Sequence, residues 1–104
     1  MQHKDPYLVN QVAMRLFGDR YIIIYGNTIQ FHNHCYHLRS ISTSGHPHRG
    51  CYYLEDANTG LAMSSDVDFA PLGAYGAIFE PQTGDMIDCE TVPYSEKNDS
   101  RTNT

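Results

Sequence analysis

Histidine and cysteine side chains are concentrated in one short segment of this 104-residue chain. Five of the six histidines and two of the three cysteines lie between His32 and Cys51. Imidazole nitrogens and thiolate sulfurs are the ligands that zinc prefers, and structural zinc sites usually arrange four of them in a tetrahedron. The segment therefore raises the question of a transition-metal site.

The spacing within this segment suggests which four side chains would share the metal. On a β-strand, side chains two residues apart project from one face, so a strand would place Cys35 beside His37. A loop and a second strand would return His48 and Cys51 to the same place. These four residues are the predicted zinc ligands of a zinc-binding domain or small metalloenzyme. Their spacing matches no common zinc finger or ribbon, and the competing interpretation is a domain with no cofactor, solvent-facing histidines and small buried cysteines.

A cysteine nucleophile is a second form of chemistry that the segment allows. A neighbouring imidazolium lowers the pKa of a thiol, and Cys35 and Cys51 both have histidines near in sequence. Neighbours on a strand point to opposite faces, however, and Cys89 lies between two carboxylates, where a thiolate is disfavoured. No phosphate-cradling glycine motif is present. The residues leave enzyme activity undecided and favour a function without catalysis.

The next part of the chain is strongly acidic. From Gly50 to Glu96 there are nine carboxylates and no lysine or arginine. Residues 1–50 carry a net charge of +3 and residues 51–104 carry −8, which together give −5. Affinity for nucleic acid depends on neutralising phosphates with Lys and Arg, so this balance argues against direct nucleic-acid binding. It favours a basic protein partner instead.

Tyrosines interleave with these carboxylates and complete a predicted contact surface. Carboxylates around tyrosine anchors suit docking on a site rich in lysine and arginine, with fast, salt-sensitive association. The predicted partner-binding residues are Glu55, Asp56, Asp66, Asp68, Glu80, Asp85, Asp88 and Glu90, with Tyr52, Tyr53 and Tyr75 as anchors. The alternative is that turns prefer aspartate and that solubility requires net charge.

The function that this surface predicts is an acidic protein-binding module that inhibits a basic, nucleic-acid-handling partner. Phage anti-defence inhibitors, DNA mimics and immunity proteins act in this way, although the likeness is one of size and charge alone. The histidines add a further hypothesis. Protonated beside a rim of carboxylates, they would favour self-association into a homo-oligomer near pH 6.

An N-terminal helix is the clearest element that would position these residues. Asp5 and Pro6 form a favourable helix start. Apolar residues then follow at helical spacing, namely Leu8, Val9, Val12, Ala13, Leu16 and Phe17. Gly18 suits the left-handed residue that ends many helices. The pattern predicts a helix over residues 6–17.

The remainder of the chain is predicted as β-structure. Apolar, β-branched and aromatic runs predict strands at 21–25, 28–31, 51–54, 61–63, 74–79 and 86–92, and residues 35–41 are either a further strand or the continuation of 28–31. A turn at 26–27, a loop at 42–50 and hairpin connections at 56–60 and 81–85 separate them. The predicted fold is α+β, with the N-terminal helix packed on an antiparallel sheet of about five or six strands.

Length and composition bound the domain and its setting. A chain of 104 residues supports one core, so residues 1–93 are predicted as a single globular domain and residues 94–104 as a flexible polar tail. The longest apolar run is five residues, and no charged-then-apolar leader opens the sequence, which predicts no membrane association. Three irregularly spaced cysteines argue against a disulfide framework, so the expected location is the cytoplasm.

Overall fold

The fold is a six-stranded antiparallel sheet with one helix packed on it. The computed structural model describes residues 6–24 and 28–94. Helix α1 (Pro6–Phe17) precedes strands β1 (Ile22–Ile24), β2 (Thr28–Phe31), β3 (His34–Ser40), β4 (Tyr52–Asp56), β5 (Gly76–Phe79) and β6 (Met86–Glu90). The strands neighbour one another in chain order, and each pair is antiparallel. The predicted α+β fold, with one N-terminal helix on an antiparallel sheet, is confirmed.

Helix α1 has the bounds that its apolar periodicity predicts. All six of its stripe residues are buried, whereas Met14 and Arg15 on the opposite side are exposed. The amide of Gly18, at φ 68°, donates to the carbonyl of Met14 at 2.9 Å and ends the helix as a left-handed cap. The proposed N-cap, Asp5, lies outside the described residues.

The apolar core lies between α1 and one face of the sheet. Successive side chains of strands β2 to β5 point to opposite faces of the sheet, so every second side chain points toward the helix. Those that pack against its apolar stripe are Ile29, Tyr36, Leu38, Leu54, Ala77 and Phe79. Burying each large apolar side chain contributes about 1.5–3 kcal/mol, which makes this cluster the main source of stability.

The segment predicted as a strand at 61–63 forms only single bridges, from Ala62 to Glu55 and from Met63 to Phe69. Met63 instead fills the gap where β4 and β5 diverge: its amide donates to Leu54 and its carbonyl accepts from Ala77, both at 2.9 Å. The backbones are so close that a Cβ on Gly76 would lie 2.4 Å from the Met63 carbonyl oxygen. Glycine at position 76 is what permits this close approach.

Two further parts of the prediction concern the ends and turns. The predicted turn at 26–27 and residues 95–104 of the predicted tail lie outside the described residues. The β2–β3 hairpin turns at His32 and Asn33, whose φ values of 52° and 65° are typical of a type I′ turn. Among the described residues, no helix is long and apolar enough to cross a membrane.

Candidate functional site

The loop between β3 and β4 carries a histidine into the interior of the protein. Its two ends are tied together, since the amide of Ile41 donates to Cys51 and the amide of Gly50 donates to Ile41, both at 2.9 Å. This closure presses the middle of the loop against β6. As a result His46, which the sequence places in a polar, glycine- and proline-containing stretch, is only 5% exposed.

His46 forms a buried hydrogen bond with Glu90 of β6. The distance between His46 Nε2 and Glu90 Oε2 is 3.0 Å, and both side chains are almost completely excluded from solvent. The amide of His48 donates to His46 Nδ1 at 3.0 Å, which assigns the ring proton to Nε2. The other oxygen of Glu90 accepts from the Tyr75 amide at 3.1 Å. The pair is therefore a neutral imidazole that donates to a carboxylate.

Aromatic rings enclose this pair. The rings of Tyr75 and Tyr94 lie 5.2 Å and 4.6 Å from the imidazole of His46, measured between centroids. Tyr94 also donates a hydrogen bond to the Gly45 carbonyl at 3.1 Å. Tyr94, the first residue of the predicted tail, thus covers one side of the buried His46 ring.

A cleft of about 270 Å³ opens beside Glu90. One wall is the segment that follows Met63, and the other is the end of β6. Its lining residues are Ser64, Ser65, Asp66, Asp68, Phe69, Ala70, Pro71, Cys89, Glu90 and Thr91. The cleft thus combines the exposed carboxylates of Asp66 and Asp68 with an apolar wall.

The acidic wall of the cleft is a tight turn organised by one serine. The Ser64 hydroxyl accepts hydrogen bonds from the amides of Asp66 and Asp68 at 3.3 Å each, and Asp68 accepts from the Phe69 amide at 2.8 Å. Between the two aspartates, Val67 has a φ of 58°, a conformation that β-branched residues rarely adopt. The turn holds Val67 exposed between two carboxylates.

Half of the predicted acidic surface is buried or neutralised by an arginine within the molecule. Two of its members are buried, Asp56 at 1% and Glu90 at 3% exposure. Glu55 pairs with Arg39, Asp85 with Arg15, and Asp88 with His48. Glu80 caps the turn after β5 by accepting from the amides of residues 82 and 83 at 2.7 and 2.9 Å.

Asp66 and Asp68 differ from the other six. Both are exposed, and among the described residues neither has a basic side chain within ion-pair distance. Their charge is therefore available to a ligand. The structure brings Asp66, Asp68 and Glu90 together at the cleft and leaves the other predicted carboxylates elsewhere.

The predicted tyrosine anchors are partly buried and engaged within the domain. Tyr52 packs against the apolar core, and Tyr53 stacks edge-on with Tyr75 at 4.8 Å. Burial raises the pKa of the Tyr53 phenol, and the Glu55 carboxylate raises it further. The Tyr75 hydroxyl bonds to that of Thr43. These rings support the structure next to the cleft and present little free surface.

The four predicted zinc ligands do not converge. His37 lies within 3.2 Å of the Thr28 hydroxyl, and His48 bonds to Asp88 at 3.2 Å. Burial raises the pKa of the Cys51 thiol, and Glu80 adds to that effect. In the described parts of the chain, no three His, Cys, Asp or Glu side chains are close enough to hold a metal ion.

Asp56 forms a second buried polar feature that the sequence does not reveal. Its Oδ2 accepts from the amide and hydroxyl of Thr59 at 3.0 and 2.8 Å, while its Oδ1 is buried and has no hydrogen-bond partner among the described residues. The imidazole of His34 lies nearby, with Nδ1 at 3.9 Å from Oδ1. A small rotation of the half-exposed imidazole would satisfy this oxygen.

No family model, curated protein or solved structure matches the chain.

Proposed function

We propose that this domain is a small acidic protein-binding module that inhibits a basic, nucleic-acid-handling partner. The observation that carries this proposal is the pair of un-neutralised carboxylates, Asp66 and Asp68, at the mouth of the cleft. The other exposed aspartates on β6 and the turn before it have basic or imidazole partners of their own. Of the predicted contact carboxylates, Asp66 and Asp68 are the exposed ones without an ion pair to a described residue, so their charge is available to a cation.

The cleft suits a lysine or arginine side chain. These residues combine a long aliphatic stem with a cationic head, and the stem favours apolar contact. Phe69, Ala70 and Pro71 supply an apolar wall, and the carboxylates lie beside it. The volume of about 270 Å³ falls below the range of about 300–1,000 Å³ that is typical of small-molecule sites. A single inserted side chain is the better match.

Exposed apolar residues continue the contact surface around the cleft. Val67, Phe69 and Leu72 are exposed along the acidic wall, and Val92 follows the opposite wall. Apolar contacts around an inserted cation exclude water and thereby strengthen its ion pair with the carboxylates. The proposed partner surface is therefore a basic side chain with an apolar surround.

Inhibition follows if the partner uses the same basic side chains to bind phosphates. When a carboxylate of this domain forms an ion pair with an arginine of the partner, that arginine can no longer contact nucleic acid. The proposed setting is the cytoplasm, where the three free cysteines would stay reduced.

A labelled octa-arginine peptide tests the cleft directly. We expect wild-type protein to bind it with an affinity that falls as salt rises. Asp66→Lys/Asp68→Lys should weaken binding about tenfold or more, because it reverses the two free charges. The matched control, Asp85→Lys/Asp88→Lys, makes the same change in net charge at exposed aspartates outside the cleft and should change affinity by about threefold or less. Equal losses in both variants would show that only net charge matters.

Affinity capture from the native host tests whether the domain inhibits a nucleic-acid-binding partner. Wild-type protein should retain a basic protein that Asp66→Lys/Asp68→Lys does not, and adding wild-type protein should displace nucleic acid from it. Capture of a partner whose nucleic-acid binding is unaffected would contradict inhibition.

A further inference from the structure

The two edges of the sheet are built differently. At the β6 edge, Asp88 accepts a hydrogen bond from the Cys89 amide at 2.8 Å, and a register shift between Ile78 and Phe79 interrupts the ladder. Charged side chains and irregular ladders prevent an edge strand from pairing with another chain. The β6 edge is therefore protected.

The β1 edge carries none of these protections. It consists of Ile22–Ile24, without charge or proline, and its register with β2 is regular. Ile22 is 62% exposed, and no described strand pairs with the outer side of β1. An apolar edge of this kind is a template for a further strand.

The antiparallel register identifies the open backbone groups. The two residues that flank the two-residue turn between β2 and β3 form a hydrogen-bonded pair. Hydrogen-bonded and non-hydrogen-bonded pairs then alternate along the strands. Along this register, Ile22 and Ile24 direct their backbone groups toward β2, and Ile23 directs its own outward. Outside the ladder, no described backbone hydrogen bond uses the N–H or C=O of Ile23.

We infer that β1 is a self-association surface, at which two copies of this chain pair antiparallel about a two-fold axis through Ile23. Each Ile23 donates its N–H to the carbonyl of the other Ile23. The same surface on both copies therefore supplies all the donors and acceptors of the interface. The two sheets become one continuous sheet. A head-to-tail chain of copies does not form, because it would need the protected β6 edge.

The distribution of charge also favours this pairing over one at β6. The described residues from 51 to 94 hold eight carboxylates and no lysine or arginine, whereas residues 6–50 hold four arginines and one aspartate. Strands are about 4.8 Å apart, so five intervals separate β1 from β6 by about 24 Å. That distance exceeds the Debye length of about 8 Å at physiological salt. Joining the β1 edges therefore keeps the acidic ends of the two copies apart.

The dimer is expected to be weak. Three residues of strand pairing bury much less than the 1,200 Å² of a typical stable interface, which places the dissociation constant on the order of 100 µM. The association should not depend on pH between 6 and 8, because no titratable side chain belongs to β1. This property separates it from self-association driven by histidine protonation.

Sedimentation of the full chain over a range from about 10 to 500 µM tests the inference. Wild-type protein should shift from the monomer mass of 11.8 kDa toward twice that value. Ile22→Lys should remain monomeric, because it places two like charges at the paired edges. The control Ile87→Lys introduces the same change at an exposed isoleucine of β6 and should dimerise like the wild type. A wild-type protein that stays monomeric, or equal effects of the two variants, would overturn the inference.

Hydrogen exchange supplies a second readout that requires no variant. The amide of Ile23 should exchange fast at low concentration and several-fold more slowly at high concentration, while amides of β6 do not change. An Ile23 amide whose exchange is independent of concentration would overturn the inference even if Ile22→Lys failed to fold.

Discussion

The apolar core beneath α1 and the polar cluster beneath the 41–50 loop are both buried, but by different means. The first consists of interdigitating aliphatic and aromatic side chains from the helix and four strands. The second consists of His46 and Glu90, joined by a hydrogen bond and enclosed by tyrosine rings. Apolar burial is favourable at every contact, whereas polar burial is favourable only while every hydrogen bond is made.

This difference teaches where the chain can tolerate change. An apolar side chain in the core can be exchanged for another of similar volume at small cost. Neither member of the polar pair can be replaced alone, because the other would remain buried without its partner. The polar cluster also adjoins the cleft, since Glu90 belongs to both. Geometry at the proposed binding site therefore depends on the less tolerant region.

Removing one polar partner should give the largest effect. Glu90→Ala leaves the His46 Nε2–H and the Tyr75 amide without their acceptor, and we expect the free energy of unfolding to fall by about 3 kcal/mol. Leu54→Ala in the apolar core should cost a similar amount, about 2–5 kcal/mol. Asp88→Ala removes only exposed contacts, those with His48 and with the Cys89 amide, and should cost less, about 0.5 kcal/mol. Urea denaturation measures all three.

A double-mutant cycle distinguishes the two regions further. His46→Ala/Glu90→Ala should cost clearly less than the sum of its single variants, because removing both partners leaves fewer unpaired groups. If Glu90→Ala lowered the free energy of unfolding by less than about 1 kcal/mol, the buried pair would contribute little to stability. The polar region would then be no less tolerant of substitution than the apolar core.

The apolar region could be predicted from the sequence because its signals are local. Helix α1 follows from six apolar residues at helical spacing, and its end follows from Gly18. Most strands follow from short β-branched and aromatic runs. The strand expected at 61–63 was not found, since Met63 bridges two diverging strands and no local pattern encodes their divergence.

The polar region could not be predicted because its partners are distant in sequence. His46 and Glu90 are separated by 44 positions, and each lies in a stretch that looks exposed. Asp56 belongs to a turn sequence, and its capping of Thr59 is typical of such turns, but its burial comes from tertiary packing. Of the predicted contact residues, Asp66 and Asp68 were identified by charge alone, and only the structure shows that they lack basic partners among the described residues.

Alkaline titration provides a smaller test of the same contrast. Burial raises the pKa of Tyr36 in the apolar core and of Tyr53 beside the polar cluster. Above the unfolded tyrosine pKa of about 10, the unfolded chain loses phenolic protons that the folded chain retains, so the free energy of unfolding falls as pH rises. Both Tyr36→Phe and Tyr53→Phe should flatten this fall in denaturation series between pH 9 and 11. A slope unchanged in both variants would contradict a role for these phenols.

The smallest expected effect comes from the strained turn that borders the cleft. It is a gain in the free energy of unfolding, unlike the losses described above. Val67→Asn replaces a β-branched residue at φ 58° with one that tolerates the left-handed conformation, so we expect a gain of about 0.5–1 kcal/mol in the free energy of unfolding. If Val67 contacts the partner, the same variant should weaken binding of the captured protein even though the domain is more stable. A gain in stability with unchanged affinity would restrict the contact surface to the cleft itself. A loss of stability would show that packing of Val67 outweighs its backbone strain, and the turn would then belong with the tightly packed apolar core.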